Sequence, residues 1–490
     1  MGHDTRTCEH CVAARRAETA PDRPPAWVSE AVFYQILPDR FAMSDEVPKP
    51  GPLHPWDEPP TFHSYAGGDL VGIIEHLDHL ERLGVNAIYL NPIFKSASPH
   101  RYHTHDYYAV DTMLGGAAAL GDLLGRCHSR GVRVILDGVF NHASRGFLQF
   151  NDIAENGRSS PYWDWFHVHD WPLLPYDESR PPVYEAWWGM KALPKFNTEN
   201  PLVREYLMAV AEHWTGVGID GWRLDVPEEI KTEGFWEEFR ARVRAVNPDA
   251  YIVGEVWSPG SPLCTDGRRL DGAMNYALGS AIISFTAGER IDPALRIGNP
   301  WYDLSPSDAA GYASRVEAIL GSYPGHVNLA NLNVLDSHDT ARILSVAGGD
   351  KDTVLLAALL QLTHPGAPCI YYGTEVGLPG GLDPDSRRTF PWDEARWDHD
   401  LLDAYRDLVA LRASTGALRS ARYSTVYADG QVHVSLRGDG PEAVYVLVNA
   451  GTETVAVPLE AAGTLLWGEA VVQGGTIKLA PRRGAVLSSS

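Results

Sequence analysis

Gly221-Trp222-Arg223-Leu224-Asp225 and, thirty positions on, Gly254-Glu255-Val256-Trp257 decide how this chain folds. Each acid ends a short apolar run that reads as a strand buried on both faces. A helical stretch lies between the two runs. Strand, helix, strand is the repeating unit of a parallel sheet. In a closed barrel of such units, consecutive strands bring their terminal acids to one rim, one strand apart. A third acid, Asp339 in Ser337-His338-Asp339, follows a later strand and joins them.

Working outward, eight such runs are found: 32–37, 87–91, 132–137, 219–225, 251–255, 272–275, 332–336 and 369–373. Amphipathic stretches separate most of them. Leu70, Ile73, Ile74, Leu77, Leu80 and Leu83 recur at helical spacing before a stop at Gly84. Leu202, Tyr206, Ala209, Val210 and Trp214 repeat the pattern. The α/β alternation predicts a (β/α)₈ TIM barrel over residues 28–416, with the active site at the strands' C-terminal ends.

One connection, after the third strand, is too long for this scheme. About sixty residues, rich in Trp and Pro, separate Asn141 from Pro201, and they predict an inserted subdomain over about 142–200. Trp163, Trp165, Trp171, Trp187 and Trp188 are expected to be mostly its core, with some offering flat faces to a ligand. Beyond Leu418 the period changes to two, so residues 417–490 read as a C-terminal β-sandwich. Residues 1–27 are polar and Pro-containing, and read as a flexible tail.

Bulk properties exclude several classes. At 490 residues the chain can bury a large core, and its formal net charge of −22 argues against nucleic acid and anionic membranes. No long apolar run predicts a membrane span, and the N-terminus has no secretory pattern. The five cysteines are odd in number and scattered, which fits a reducing, cytoplasmic setting. Cys8-x-x-Cys11, with His3 and His10 nearby, lacks the second ligand pair of a structural zinc site and reads as an incidental feature of the tail. Gly67-Gly68-Asp69 matches neither nucleotide fingerprint.

Acids or imidazoles end four predicted strands: Asp137 with Asn141 and His142, Asp225, Glu255, and His338 with Asp339. For any single acid a helix cap is an adequate explanation. For all of them together it is not. Two carboxyls a few ångströms apart can divide the cleavage of a glycosidic bond, one attacking the anomeric carbon and one protonating the leaving oxygen. The attacking acid must be ionised, and Arg223 favours that state in Asp225. The other must begin protonated, and neighbouring carboxylates and cover from Trp257 favour that in Glu255.

The motifs Asp137-x-Val139-x-Asn141-His142, Gly221-x-Arg223-x-Asp225, Glu255 and His338-Asp339 resemble those of the α-amylase family of retaining glycoside hydrolases. The resemblance implies that Asp225 is the nucleophile, Glu255 the general acid/base and Asp339 the transition-state stabiliser. It also implies that Arg223 pairs with Asp225, that His142 and His338 hold sugar hydroxyls, that Tyr102 stacks under the sugar and that Asp137 supports the site from below. Retaining enzymes hold their two acids about 5–5.5 Å apart. No cofactor is required for the chemistry. Many relatives hold a structural calcium through the residue matching Asn141. The insert supplies no recognisable set of six to eight oxygens, so a plain bracing role for Asn141 stays open beside it.

Leu193-Pro194-Lys195-Phe196-Asn197 resembles a motif of the neopullulanase, cyclomaltodextrinase and maltogenic amylase group. That implies α-1,4 cleavage in maltooligosaccharides, cyclodextrins and starch-type glucans, giving maltose and glucose, with transglycosylation and pullulan cleavage beside it. Trp187, Trp188 and Trp257 would bound the substrate pocket. Two departures stand out. Pro227-Glu228-Glu229 follows Val226 where the group carries Ala-Asn-Glu, on the leaving-group side where Glu228 would meet substrate. The group's N-terminal β-domain has no counterpart, so a monomer, or a dimer not built on that domain, is expected. The alternatives are an α-1,6-glucosidase or disaccharide isomerase of the same family, with which Val226 is compatible, and a non-catalytic binding subunit, against which the three intact acids argue.

Overall fold

The computed structural model describes residues 23–489, so Cys8, Cys11 and the histidines beside them lie outside the described residues. Eight parallel strands form one sheet: β1 (Phe33–Ile36), β2 (Ala87–Leu90), β3 (Arg133–Gly138), β4 (Gly221–Leu224), β5 (Tyr251–Gly254), β6 (Gly272–Ala273), β7 (Leu332–Val334) and β8 (Ala367–Tyr371). Their order is β6-β5-β4-β3-β2-β1-β8-β7, and a parallel bridge between Met274 and Leu332 joins the two ends into a barrel. Every residue of β1, β2, β4, β5, β7 and β8 is buried, as strands covered on both faces require. Gly221 permits a close approach: a Cβ there would stand 2.1 Å from the Tyr251 carbonyl oxygen.

The helices depart from expectation in detail. The 70–83 stretch is two segments, Leu70–Glu75 and Leu77–Leu83, broken at His76, whose Nδ1 lies 2.9 Å from the Gly72 carbonyl oxygen. Gly84 ends the second in the left-handed region at φ 82°. In the helix Pro201–Val217 the buried stripe is Val203, Leu207, Val210, Ala211 and Trp214, while Leu202 is exposed. Pro201 opens that helix, so Leu202 sits in its first turn, outside the stripe. Trp27, assigned by composition to the tail, belongs to the helical turn Ala26–Glu30 and packs on Phe33 and Tyr251 with ring centroids 5.9 Å apart.

The insert is a small folded unit whose two ends meet just past β3 at the antiparallel bridge His142–Lys195, with a second bridge, Phe166–Phe196, inside it. Its tryptophans supply only a small part of its core. Phe147, Phe150, Phe166, Tyr184 and Phe196 fill it, and among the five expected tryptophans only Trp165 is buried. Beyond the barrel, β9 (Tyr423–Asp429), β10 (Val432–Arg437), β11 (Val444–Asn449), β13 (Ala462–Gly468) and β16 (Arg483–Ser489) form a five-stranded antiparallel sheet. β12 (Val455–Pro458), β14 (Val471–Gln473) and β15 (Thr476–Leu479) form a three-stranded one. Among the described residues no helix is long and apolar enough to cross a membrane.

Candidate active site

Parallel pairing places Asp137 of β3 directly beside Arg223 of β4, and Leu224 beside Gly254 of β5. The register carries Asp225 and Glu255 onto the same rim: the Asp225 amide donates to the Gly138 carbonyl and the Glu255 amide to the Leu224 carbonyl. Arg223, fully buried, stands at the centre. Its Nη1 donates to both Asp137 oxygens at 2.9 and 3.1 Å and to Asp225 Oδ1 at 3.1 Å. Its Nη2 lies 3.1 Å from Glu255 Oε2. One guanidinium thus serves three carboxyls, where the sequence reading paired it with Asp225 alone.

That sharing changes the electrostatics. Burial pushes the Asp225 carboxyl well up, the neighbouring Glu255 charge pushes it further, and Arg223 opposes both. Glu255 is also raised, first by burial and then by the Asp339 charge, against Arg223 and hydrogen bonds from Trp257 and Val226. The cluster therefore holds on to a proton above the ordinary carboxylate range. Glu255 is positioned by two donors: the Val226 amide to Oε2 and Trp257 Nε1 to Oε1, each at 3.1 Å. Val226 itself sits in the left-handed region at φ 36°, ψ 52°, a strained conformation for a β-branched residue. Trp257 stacks on Tyr276 with ring centroids 3.7 Å apart, and the Tyr276 hydroxyl lies 3.1 Å from Ser337 Oγ.

A second chain of polar groups crosses the rim. Gln35 Nε2 lies 2.8 Å from His338 Nδ1, and His338 Nε2 lies 2.6 Å from the Tyr102 hydroxyl. Tyr102 donates to Asp137 Oδ2 at 2.8 Å, and Tyr89 donates to the same oxygen at 2.6 Å. A donating Gln35 amide makes Nδ1 the acceptor and Nε2 the protonated nitrogen of a neutral His338, which burial also favours. Nε2 also lies 3.2 Å from Asp339 Oδ2. The Tyr102 and His338 rings are parallel within 3°. Asp339 is partly exposed, and Arg387 Nη2 stands 3.7 Å from its other oxygen.

His142 is buried, and burial pushes its imidazole down to about 3, so it is neutral. Its Nε2 has no hydrogen-bond partner, and its ring stacks on Trp187, which stacks on Trp188 with centroids 4.5 Å apart. Trp188 is 82% exposed and is held in the left-handed region at φ 50°. Glu228 does not stand free on the leaving-group side: it accepts hydrogen bonds from Ser261 Oγ at 2.9 Å and Ser258 Oγ at 3.5 Å, tying the loops after β4 and β5 together.

Asn141 lies 3.2 Å from His142 Nδ1 through its amide nitrogen, and its Oδ1 is buried without a partner. Among the described residues no group of three or more His, Cys, Asp or Glu side chains gathers around a metal position. Within the insert a chain-borne cation does comparable gathering: buried Lys191 donates to the carbonyls of Leu174 and Asp177.

Sequence reasoning missed Gln35, Tyr89, Asn91, Tyr276 and Arg387. For the first three a signal exists. Gln35 interrupts the apolar run Phe33-Tyr34-Gln35-Ile36, and Tyr89 and Asn91 stand two apart at the end of β2, both pointing inward.

An eight-stranded parallel barrel with three carboxyls and two neutral imidazoles on one rim defines a class of enzyme, and the relatives agree. Residues 35–412 match the family described as Alpha amylase, catalytic domain. A cyclomaltodextrinase from a Bacillus species is 42% identical over 431 residues, which cover 87% of this chain and 74% of that protein. The crystal structure of a debranching enzyme from Nostoc punctiforme superposes with a TM-score of 0.87 at 49% identity, over 95% of this chain and 99% of that one. A cyclic α-maltosyl-(1→6)-maltose hydrolase from Arthrobacter globiformis gives 0.86 at 37%, over 95% and 100%. The chain belongs to the alpha-amylase family of glycoside hydrolases.

Proposed function

We propose that this enzyme cleaves α-glucosidic bonds with retention, using Asp225 as nucleophile, Glu255 as acid and then base, and Asp339 as stabiliser. The observation that carries the reading is the single Arg223 guanidinium in contact with both Asp225 and Glu255. Asp225 attacks the anomeric carbon while Glu255 gives its proton to the leaving oxygen, which forms a covalent glycosyl-enzyme. Glu255, now ionised, takes a proton from water as that water attacks the same carbon and frees Asp225. Asp339 and the neutral His338 are placed to strengthen contacts to the ring hydroxyls as positive charge develops. The Asn141 amide donates to His142 Nδ1, so the unpartnered Nε2 carries the proton and is a ready donor to another hydroxyl. The parallel Tyr102 ring offers a flat face to the sugar, and Asp137 anchors Arg223 and Tyr102 from below.

The substrates we assign are maltooligosaccharides and cyclodextrins, with maltose and glucose as main products, weaker action on starch and pullulan, and transglycosylation to sugar acceptors. Support comes from Leu193–Asn197 beside the site, the Trp187–Trp188 stack bounding it and the cyclomaltodextrinase relative. Cys127, Cys264 and Cys369 are buried free thiols, which supports a reducing cytoplasmic location. A second reading is cleavage of α-1,6 bonds in short branched or cyclic glucans. The names of the Nostoc and Arthrobacter proteins favour it, and Val226 is compatible with it.

The test is catalytic efficiency per glucose unit on maltoheptaose, β-cyclodextrin, panose and soluble starch, with NMR of the first-formed anomer. Retention gives an initial α-anomer, and an initial β-anomer would overturn the mechanism. Preference for panose would favour the α-1,6 reading, and preference for starch with long products would mean an endo-acting amylase.

A further inference from the structure

A cavity of about 700 Å³ lies between the barrel and the C-terminal sandwich, away from the carboxyls. The helix Tyr276–Ala287 separates the two places: Tyr276 packs on Trp257 at the active site, and Ala287 lines the cavity. Eleven steps of about 1.5 Å put them roughly 16 Å apart along the helix axis. The volume is in the ~300–1,000 Å³ range of small-ligand sites.

Its lining is mixed in a particular way. Buried Phe285 and Val432 supply apolar wall, and Tyr427, Asp429, Gln431 and Glu453 supply the sandwich-side polar groups. Glu289 and Asp308 add carboxylates from the barrel side. The lining cation, Arg290, is engaged by Asp350 at 3.3 Å. An anion would meet this excess of negative charge. A neutral polyol would meet acceptors for its hydroxyls and apolar surface for its C–H faces.

A second observation concerns Tyr427. It lies on β9, the edge strand of the five-stranded sheet, where the pairing with β10 shifts register between Thr425 and Tyr427. Such bulges re-aim the side chains beside them. The walls are fixed by Arg482, which donates to the Thr286 carbonyl at the barrel helix and to the Ala450 carbonyl at the end of β11.

We propose that this junction cavity is a second carbohydrate site that holds a short stretch of neutral α-glucan while another stretch occupies the active site. The choice of glucan rests on the function proposed above. Tethering at a second point raises the local concentration of a long chain and does nothing for a short one.

Isothermal titration of maltoheptaose into enzyme holding one equivalent of acarbose, enough to fill the tighter active site and leave a weaker second site open, tests it. The expected result is one further weak site per chain, with affinity about three- to tenfold lower in Tyr427→Ala and also reduced in Gln431→Ala. In both variants kcat/KM on soluble starch should drop by about threefold or more while that on maltotriose is unchanged. Absence of heat in the acarbose-loaded enzyme, or an isotherm indifferent to both variants, overturns the proposal. So does calcium chloride binding that is lost in Asp429→Asn, since the cavity would then be a cation site. If acarbose neither binds nor inhibits, the glucan reading itself fails and takes this inference with it.

Discussion

Arg223 and Arg242 each gather three carboxylates, one inside the barrel and one outside it. Arg242, on the helix Phe235–Val246, reaches Glu205 and Glu212 on the neighbouring helix at 2.7 Å each and Glu238 on its own at 3.4 Å. Those acids are partly or largely exposed. There the guanidinium lowers Glu205, and Glu205 and Glu212 in turn raise Arg242. Around Arg223 the contact distances are similar, yet Asp137, Asp225 and Glu255 are all raised, with burial as the leading cause. The geometry is comparable and the solvent is not. Water solvates each charge of the outer cluster. The inner cluster has one cation against three acids and little water, so a retained proton is the cheaper state.

The largest effect should separate these two arginines. Arg223→Ala leaves three buried acids without their countercharge. It should destabilise the protein by about 3–5 kcal/mol in denaturant titration and abolish detectable turnover. Arg223→Lys restores charge without the planar fork and should recover stability more than activity.

Asp225→Asn and Glu255→Gln should each lower kcat by about three orders of magnitude or more, with unchanged circular dichroism. Turnover preserved in either would remove that residue from the proposed chemistry.

Titration sharpens the contrast further. The raised carboxyls favour the protonated folded state, so their stabilising contribution is full below the ordinary carboxylate range. It is lost as pH rises through the raised folded values. Wild type should therefore lose melting temperature toward alkaline pH relative to Glu255→Gln, and Arg242→Ala, which keeps the inner cluster, should follow wild type. The rate should be bell-shaped in pH, with both limbs shifted above the ordinary carboxylate range.

Val226→Gly relieves a left-handed β-branched residue, a strain of about 1–3 kcal/mol, against about 0.5–1 kcal/mol of added backbone entropy. A small gain in stability is expected. The Val226 amide that fixes Glu255 becomes less ordered, so kcat should fall several-fold. A faster variant would mean that the strain serves no positioning role.

The smallest effect is expected at the outer cluster. Arg242→Ala should cost no more than about 1 kcal/mol, and less still in high salt.

Local composition and order determined much of this protein. Eight apolar runs alternating with helical stretches specify a parallel barrel, because only such strands are buried on both faces. The terminal acids at 225 and 255 follow from that periodicity, since the residue ending each strand must lie on the rim. The switch to period two after Leu418 marks the sandwich for the same kind of reason. Tertiary structure decided what depends on residues distant in sequence. Arg223 meets Asp137, 86 positions earlier, only through the β3–β4 register, and that contact spreads its charge over three acids. The hydrogen bond between Gln35 and His338 spans 303 positions and sets the tautomer of the imidazole. The insert's core fell to phenylalanines because burial is a property of the packed unit, and a run of tryptophans carries no periodicity that says which face turns inward. The strain at Val226, the exposure of Trp188 and the cavity beside Tyr427 belong to the same class. Each is a balance between backbone geometry and packing that exists only once separate strands and loops have met.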